Sequence, residues 1–368
     1  MQTAVVIPCL NEEASLTETC LSLGFGGSAA LPGSVLVLVD NGSSDGTPAV
    51  MEAIKKASPT PVLLGQTLER GYVPPRHLGV LMAKAFAAEQ GLSDDELLIL
   101  QADADTVYAS DYLAAMQAAA LSAPLDLIEG VARPSENFLN DHAGYAACCA
   151  MADEAVSSLF VAEQDEVIVD DKVAGFRLSQ YLRWGGHQRE FDRHGDEIHA
   201  ETSRLFLRAK TYGAGRTRSA GAVAYPSRRK IEADPLAAFA TAGFPRERRW
   251  RERWAKTHPV YPSLAQFDCT PLGEAFLQPI FMRQMHDIIL FALMPAQVQL
   301  ALGQRSTISL VQSPLAPLLE KVDVSAEVLR MAPGRIFEAF FTLAELQPGL
   351  FSDCIRNAPR DLSSNDTR

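Results

Sequence analysis

The chain predicts an α/β fold, a mainly parallel sheet flanked by helices with a helical C-terminal subdomain behind it. Three observations carry this. Short, unbroken apolar runs alternate with helical-period segments through the first third of the 368 residues, which is the pattern of successive βα units. The polar residues that carry chemistry cluster where those runs end. From about Pro226 the character changes: prolines recur, and 272–303 and 315–347 are Ala/Leu-rich at helical spacing.

Taken in order, Ala4-Val5-Val6-Ile7 is a β-branched run closed by Pro8 and reads as a first strand. Asn11 offers an N-cap, Glu12 and Glu13 suit a helix N-terminus, and Leu16, Cys20 and Leu23 follow at helical spacing. Val35 to Val39 is a second strand ending at Asp40 and the turn Asn41 to Gly46; a helix follows from Thr47 or Pro48 to about Ala57. Pro61 to Gly65 and Arg76 to Gln90 repeat the strand–helix pair. Leu97 to Leu100 is a fourth strand, leading into Gln101-Ala102-Asp103-Ala104-Asp105. Asp111 to Ser122 is helical and Leu125 to Val131 a further strand; beyond residue 135 the pattern is irregular until Glu201. The expected domains are an α/β domain over 1–225, a helical subdomain over 226–356 and a disordered polar tail over 357–368.

Composition narrows the function classes. The chain is 47% hydrophobic and 21% charged with a formal net charge of −12, which speaks against nonspecific affinity for nucleic acid or anionic lipid. Six cysteines form no C-x-x-C pair and read as small buried hydrophobes in a reducing, cytoplasmic setting. No basic segment followed by an apolar run opens the chain. Ile288 to Leu302 is apolar but contains Pro295, Gln297 and Gln299; at about fifteen residues it falls short of the roughly twenty a membrane span needs. No transmembrane span is expected, and a peripheral membrane contact is left open.

Two carboxylates at i and i+2, Asp103 and Asp105, point the same way on an extended chain. At the C-terminal end of a parallel strand they form a seat for Mg²⁺ or Mn²⁺ carrying a diphosphate. In a parallel sheet the loops 8–13 and 40–47, the helix start 71–79 and this pair share one edge. Asp40 can accept an N–H from a base, Arg76 can fork onto phosphate, Asp103 can reach a ribose hydroxyl and Asp105 can bind the metal. Gly24-Phe25-Gly26-Gly27-Ser28-Ala29 formally matches a dinucleotide fingerprint, but it follows a helix and precedes a strand, the reverse of what that motif requires.

The strings VVIPCLNEEASL, VLVLVDNGSSDGT, RHLGV and ILQADADT resemble, in order and spacing across residues 3 to 115, the nucleotide-sugar half of family 2 glycosyltransferases of the GT-A fold. The resemblance implies a Rossmann-like sheet and an inverting, divalent-metal-dependent transfer of a sugar from a nucleoside diphosphate, UDP favoured over GDP, to a hydroxyl-bearing acceptor. It implies donor contacts from Pro8, Leu10, Glu12, Asp40, Arg76 and Asp103, and metal contacts from Asp103 and Asp105. His77 departs from the pattern, which often has Asn beside the Arg.

A later block, Gly185-Gly186-His187 through Ala200-Glu201-Thr202 to Arg208, resembles the family's Gly-Gly turn followed by an acidic pair opening a helix. Glu201 matches the first acid. The second, the usual base, is Thr202 here, and a threonine hydroxyl is a poor base near neutral pH. The base is therefore expected at Glu201, with Asp196 and Glu197 as alternates. Two other readings stand beside this one: a sugar-nucleotide-binding scaffold that lost turnover with the change at 202, and a nucleotidyltransferase, which the acidic first loop disfavours. His187 and His194 read as loop residues, Arg228-Arg229-Lys230 as a solvated run.

Overall fold

The computed structural model describes residues 1–258, 263–268, 273–304 and 313–359. The chain divides into two compact units: the first is 1–134, 169–189 and 200–227, the second 135–168, 190–199 and 228–368. The division is thus interleaved rather than a single cut near residue 225. Of the tail expected from residue 357, positions 360–368 lie outside the described residues.

The first unit holds an eight-stranded sheet in the order β3-β2-β1-β4-β7-β6-β8-β5. The strands are β1 (Gln2–Cys9), β2 (Ser34–Asp40), β3 (Val62–Gln66), β4 (Leu97–Gln101), β5 (Thr106–Tyr108), β6 (Leu127–Ala132), β7 (Ala174–Arg177) and β8 (Arg216–Pro226). The half β3-β2-β1-β4 is parallel throughout and has the strand order of a nucleotide-binding α/β sheet. The other half is mixed. There β7 runs antiparallel to both β4 and β6, β5 runs antiparallel to β8, and only β6–β8 is parallel. The expectation of an α/β sheet flanked by helices is met, while "mainly parallel" holds for the nucleotide-binding half alone.

Burial explains the parallel half. Val5, Ile7, Leu36, Leu38, Leu98 and Leu100 fill one face against α1 (Leu16–Ser22), α2 (Thr47–Ala57) and α4 (Tyr112–Ser122). Ala4, Val6, Val35, Val37, Val39 and Ile99 fill the other against α3 (Val73–Glu89). Alternate residues of one strand go to opposite faces, so a strand covered on both must be apolar throughout. Gly79 lets α3 sit close: a Cβ there would lie 2.3 Å from Val6 Cγ1.

Three local expectations change. Pro8 lies inside β1 rather than closing it, because β4 ends at Gln101 opposite Val6 and pairing there is on the β2 side only; a proline is tolerated where no ladder N–H is needed. Asn11 is not the cap of α1, which Ser15 precedes; Asn11 takes a left-handed φ of 57°. The two aspartates lie beyond β4, in the turn joining it to β5, so strand alternation does not set their directions.

In the second unit helices pack around aromatic side chains, among them Tyr145, Phe239, Trp250, Trp254, Phe267 and Phe276. All but the last residue of Ile288 to Leu302 belongs to the helical run 277–301, largely buried, with a π-helical turn at Ile289–Leu293. Among the described residues no helix is long and apolar enough to cross a membrane.

Candidate functional site

Two sets of polar groups form at the C-terminal edge of the parallel strands. The first joins the ends of β1 and β2, whose residues Cys9 and Asp40 are in register. Asn11 Oδ1 accepts the Ser44 amide at 2.8 Å, and the Asn11 amide donates to Ser43 Oγ at 3.0 Å. The left-handed turn at Asn11 is thus held by the 40–47 loop. Glu12 donates its amide to Thr47 Oγ1 at 2.8 Å and accepts the Ser15 hydroxyl at 2.8 Å. Asp40 is buried and accepts from the amides of Gly42 (3.2 Å) and Ser43 (3.0 Å) and from Gln66 Nε2 (3.3 Å). A carboxylate has about four acceptor positions, so one more N–H can be taken. Pro8 is partly buried in β1, and Leu10 is exposed at its end.

The second set centres on Arg76, in the first turns of α3 after Pro74 and Pro75, residues suited to a helix start. Its side chain is 5% exposed and its guanidinium binds three carboxylates: Nη2 donates to Asp103 Oδ1 and Asp171 Oδ2, each at 2.7 Å, and Nε to Glu201 Oε1 at 2.8 Å. Burial opposes its charge, but Asp171, Asp103 and Glu201 more than offset that and hold its pKa above the ordinary arginine value. Nη1 is buried without a hydrogen-bond partner.

Glu201 opens the helix Glu201–Lys210 after Ala200, which has a left-handed φ of 59°. Burial raises the pKa of the Glu201 carboxyl and the neighbouring charge of Asp171 raises it further, against the pull of Arg76. Thr202 turns the other way: it is fully buried and its Oγ1 accepts from Gln101 Nε2 at 2.9 Å. The alternates Asp196 and Glu197 belong to the second unit, in a bridged loop where the Asp196 carbonyl accepts the Asp192 amide and Phe191 pairs with Glu197.

The structure therefore brings Arg76, Asp103 and Glu201 into one cluster, and places Pro8, Leu10, Glu12 and Asp40 at the β1 and β2 ends. Asp105 is partly buried in the turn after β4, its carbonyl accepting the Ser227 amide at 3.0 Å. Asp171 is a site residue that sequence reading passed over. Its signal was there: Val167 and Val169 alternate before Asp170-Asp171-Lys172, another apolar stretch ending in acids. Around it, Lys172 Nζ binds Asp170 at 2.5 Å. Tyr108 accepts the Asp103 amide at 3.1 Å and donates to the Lys172 carbonyl at 2.9 Å, tying the two acidic turns together.

The donor chemistry suits a hard divalent cation. Asp103 and Asp105 offer carboxylate oxygens, and Mg²⁺ characteristically takes one or two carboxylates together with substrate phosphates. No group of three or more His, Cys, Asp or Glu that could hold a metal ion occurs among the described residues.

Residues 4–140 match the family model for Glycosyl transferase family 2. No curated protein matches the chain. Among solved structures, the mannosyltransferase PcManGT of Pyrobaculum calidifontis, in complex with GDP-Man and Mn²⁺, is similar at 18% identity and a TM-score of 0.47, over 97% of this chain and 86% of that one. TarS 1–349 of S. aureus is similar at 15% identity and a TM-score of 0.43, over 95% and 92%. The matched segment spans the ends of β1, β2 and β4 and the start of α3, the places where the polar sets form. The similarity to glycosyl transferase family 2 thus covers residues 4–140 of the 368.

Proposed function

We propose that the protein is an inverting glycosyltransferase that moves a sugar from a nucleoside diphosphate, UDP favoured over GDP, to a hydroxyl of an acceptor, with Mn²⁺ or Mg²⁺ as cofactor. The observation that carries it is the Arg76 cluster. It gathers an acid of the D-x-D turn, the acid opening the later helix, and a cation suited to phosphate, residues 125 positions apart at the extremes. The matched family segment and the α/β sheet support the same reading.

Each residue then has a task. Asp40, at the end of β2, takes the base through its remaining acceptor position, with Pro8, Leu10 and Glu12 beside it on the neighbouring strand end. Asp103 and Asp105 would hold the metal, which neutralises charge on the leaving diphosphate when bound. Arg76 adds a fixed positive charge in a buried setting, where it acts more strongly than in water. Glu201 takes the proton of the acceptor hydroxyl as it attacks the anomeric carbon, and its raised pKa makes it a stronger base than a free glutamate. The acceptor is a glycan, a lipid or a small molecule with a free hydroxyl. Buried free thiols at Cys9, Cys20, Cys148 and Cys354 fit a reducing compartment such as the cytoplasm.

One observation favours a second assignment of the base. Glu201 is only 3% exposed, whereas Asp171, on the same guanidinium, is 32% exposed and so more open to a substrate. Single-turnover transfer and donor hydrolysis by Glu201→Gln and Asp171→Asn separate the two. Glu201→Gln is expected to keep donor affinity and lose transfer by 10²-fold or more, the usual scale for a general base. Retained transfer in Glu201→Gln with loss in Asp171→Asn moves the base to Asp171. Donor binding with no turnover by the unaltered protein, across many acceptors, favours the scaffold reading.

A further inference from the structure

His77 and Tyr181 form a device that the donor-site reading does not use. Tyr181 is fully buried, its ring stacked on Phe176 at 5.1 Å. Its hydroxyl meets three nitrogens: the His187 amide at 2.9 Å, His187 Nδ1 at 3.1 Å and His77 Nδ1 at 2.7 Å. All of these residues lie in the first unit. The hydroxyl has one proton and two acceptor positions. The His187 amide can only donate, so it fills one acceptor position. Of the two imidazole nitrogens, one receives the hydroxyl proton and the other must donate N–H into the second acceptor position.

Two observations settle which does which. A separation of 2.7 Å is the usual length of a bond donated by a hydroxyl, and 3.1 Å lies within the range of one donated by N–H. Independently, His187 is 3% exposed and its Nε2 is buried without a hydrogen-bond partner. An unsatisfied buried lone pair is more readily tolerated than an unsatisfied buried N–H. His187 therefore carries its proton on Nδ1, and Tyr181 donates to His77. His77 Nδ1 is bare, so its proton sits on Nε2. Tyr181, wholly buried, covers the Nδ1 edge. His77 as a whole is half-buried.

We propose that His77 is a donor-binding residue, fixed by Tyr181 as the neutral Nε2–H tautomer, which offers one hydrogen bond to a diphosphate oxygen beside Arg76. It sits next to Arg76 in the first turns of the 17-residue α3, where the helix dipole also favours anions. An Nε2–H edge can donate but not accept, so it selects phosphate oxygens over groups that must donate. Burial keeps both imidazoles below the ordinary histidine pKa, which preserves the neutral pattern at pH 7. Tyr181 is a positioning residue that acts through His77. This inference rests on the donor-site reading above.

Two measurements on the intact chain test it. In ¹⁵N-resolved imidazole spectra at pH 7, His77 should show a bare Nδ1 and a protonated Nε2, and His187 the reverse; the opposite pattern overturns the inference with no ligand involved. In calorimetry with UDP and GDP in Mn²⁺, His77→Ala should weaken binding by about tenfold or more, the scale of a hydrogen bond to a charged group. His77→Asn, which keeps an N–H donor, should stay within about threefold of the unaltered protein. Binding by the unaltered protein with His77→Ala equal to it overturns this inference alone, as does an Asn variant as weak as Ala. Failure of the unaltered protein to bind either nucleotide overturns the donor-site reading, and this inference with it.

Discussion

Replacing Arg76 by Met removes a side chain that binds Asp103, Asp171 and Glu201 at once, and the cost should be large and pH-dependent. The side chain is 5% exposed and its three bonds are 2.7, 2.7 and 2.8 Å. Exposed ion pairs contribute about 0–1 kcal/mol, but leaving a buried network without its counter-charge costs about 3–5 kcal/mol. Asp103 and Asp171 keep side-chain exposures of 25% and 32%, so water relieves part of the loss and the lower end, about 3 kcal/mol, is expected at pH 7. Without the cation, the Glu201 carboxyl, already raised by burial and by Asp171, loses the lowering pull of Arg76 and rises further. Groups whose folded pKa is raised contribute stability at low pH and lose it as pH climbs through that value. The deficit of Arg76→Met should therefore shrink between pH 7 and pH 5. Trp184 lies buried in the first unit, while Trp250 and Trp254 lie in the second. Urea unfolding followed by Trp184 fluorescence, in a background with Trp250 and Trp254 changed to Phe, reads the relevant unit. A loss under about 1 kcal/mol at pH 7, or a deficit that does not change with pH, would refute the reasoning.

Further outcomes follow from the same geometry. Asp105→Ala should abolish metal-dependent binding of UDP; calorimetry showing unchanged binding in Mn²⁺ would remove Asp105 from the metal site. Thr202→Asp restores the acid of the family pattern but places it in a fully buried position against Gln101. It should lower stability by about 1–3 kcal/mol without raising transfer, and a gain in transfer rate would contradict the assignment of the base. Because burial and Asp171 raise the Glu201 pKa, the neutral, inactive form persists to higher pH than in a free glutamate. The acid limb of kcat should accordingly fall above the ordinary glutamate range, and a midpoint at or below it would count against Glu201.

The parallel half of the sheet is legible in the sequence because two-sided burial demands unbroken apolar runs, and β1, β2 and β4 supply them. The mixed half is not. β5 and β7 have three and four residues, and β8 (RTRSAGAVAYP) is mostly partly buried or exposed, so none shows a clear period. The interleaving of units at 135–168 and 190–199 has no local sequence marker. At the site, residue types were readable but partners were not: Arg76 was expected to face phosphate, and its three carboxylates come from 27, 95 and 125 residues away. Asp171 escaped because the stretch before it is too short to stand out as a strand. The direction of Thr202 depends on Gln101 at the end of β4, a contact 101 residues long, which spacing within its own helix cannot reveal.

The most direct test of the central claim is a calorimetric titration of the unaltered chain with UDP and with GDP, each with and without Mn²⁺. The account predicts saturable binding of a nucleoside diphosphate, UDP the tighter, that depends on the metal. Absence of binding by both nucleotides in the presence of Mn²⁺, from a chain shown to be folded, would contradict it.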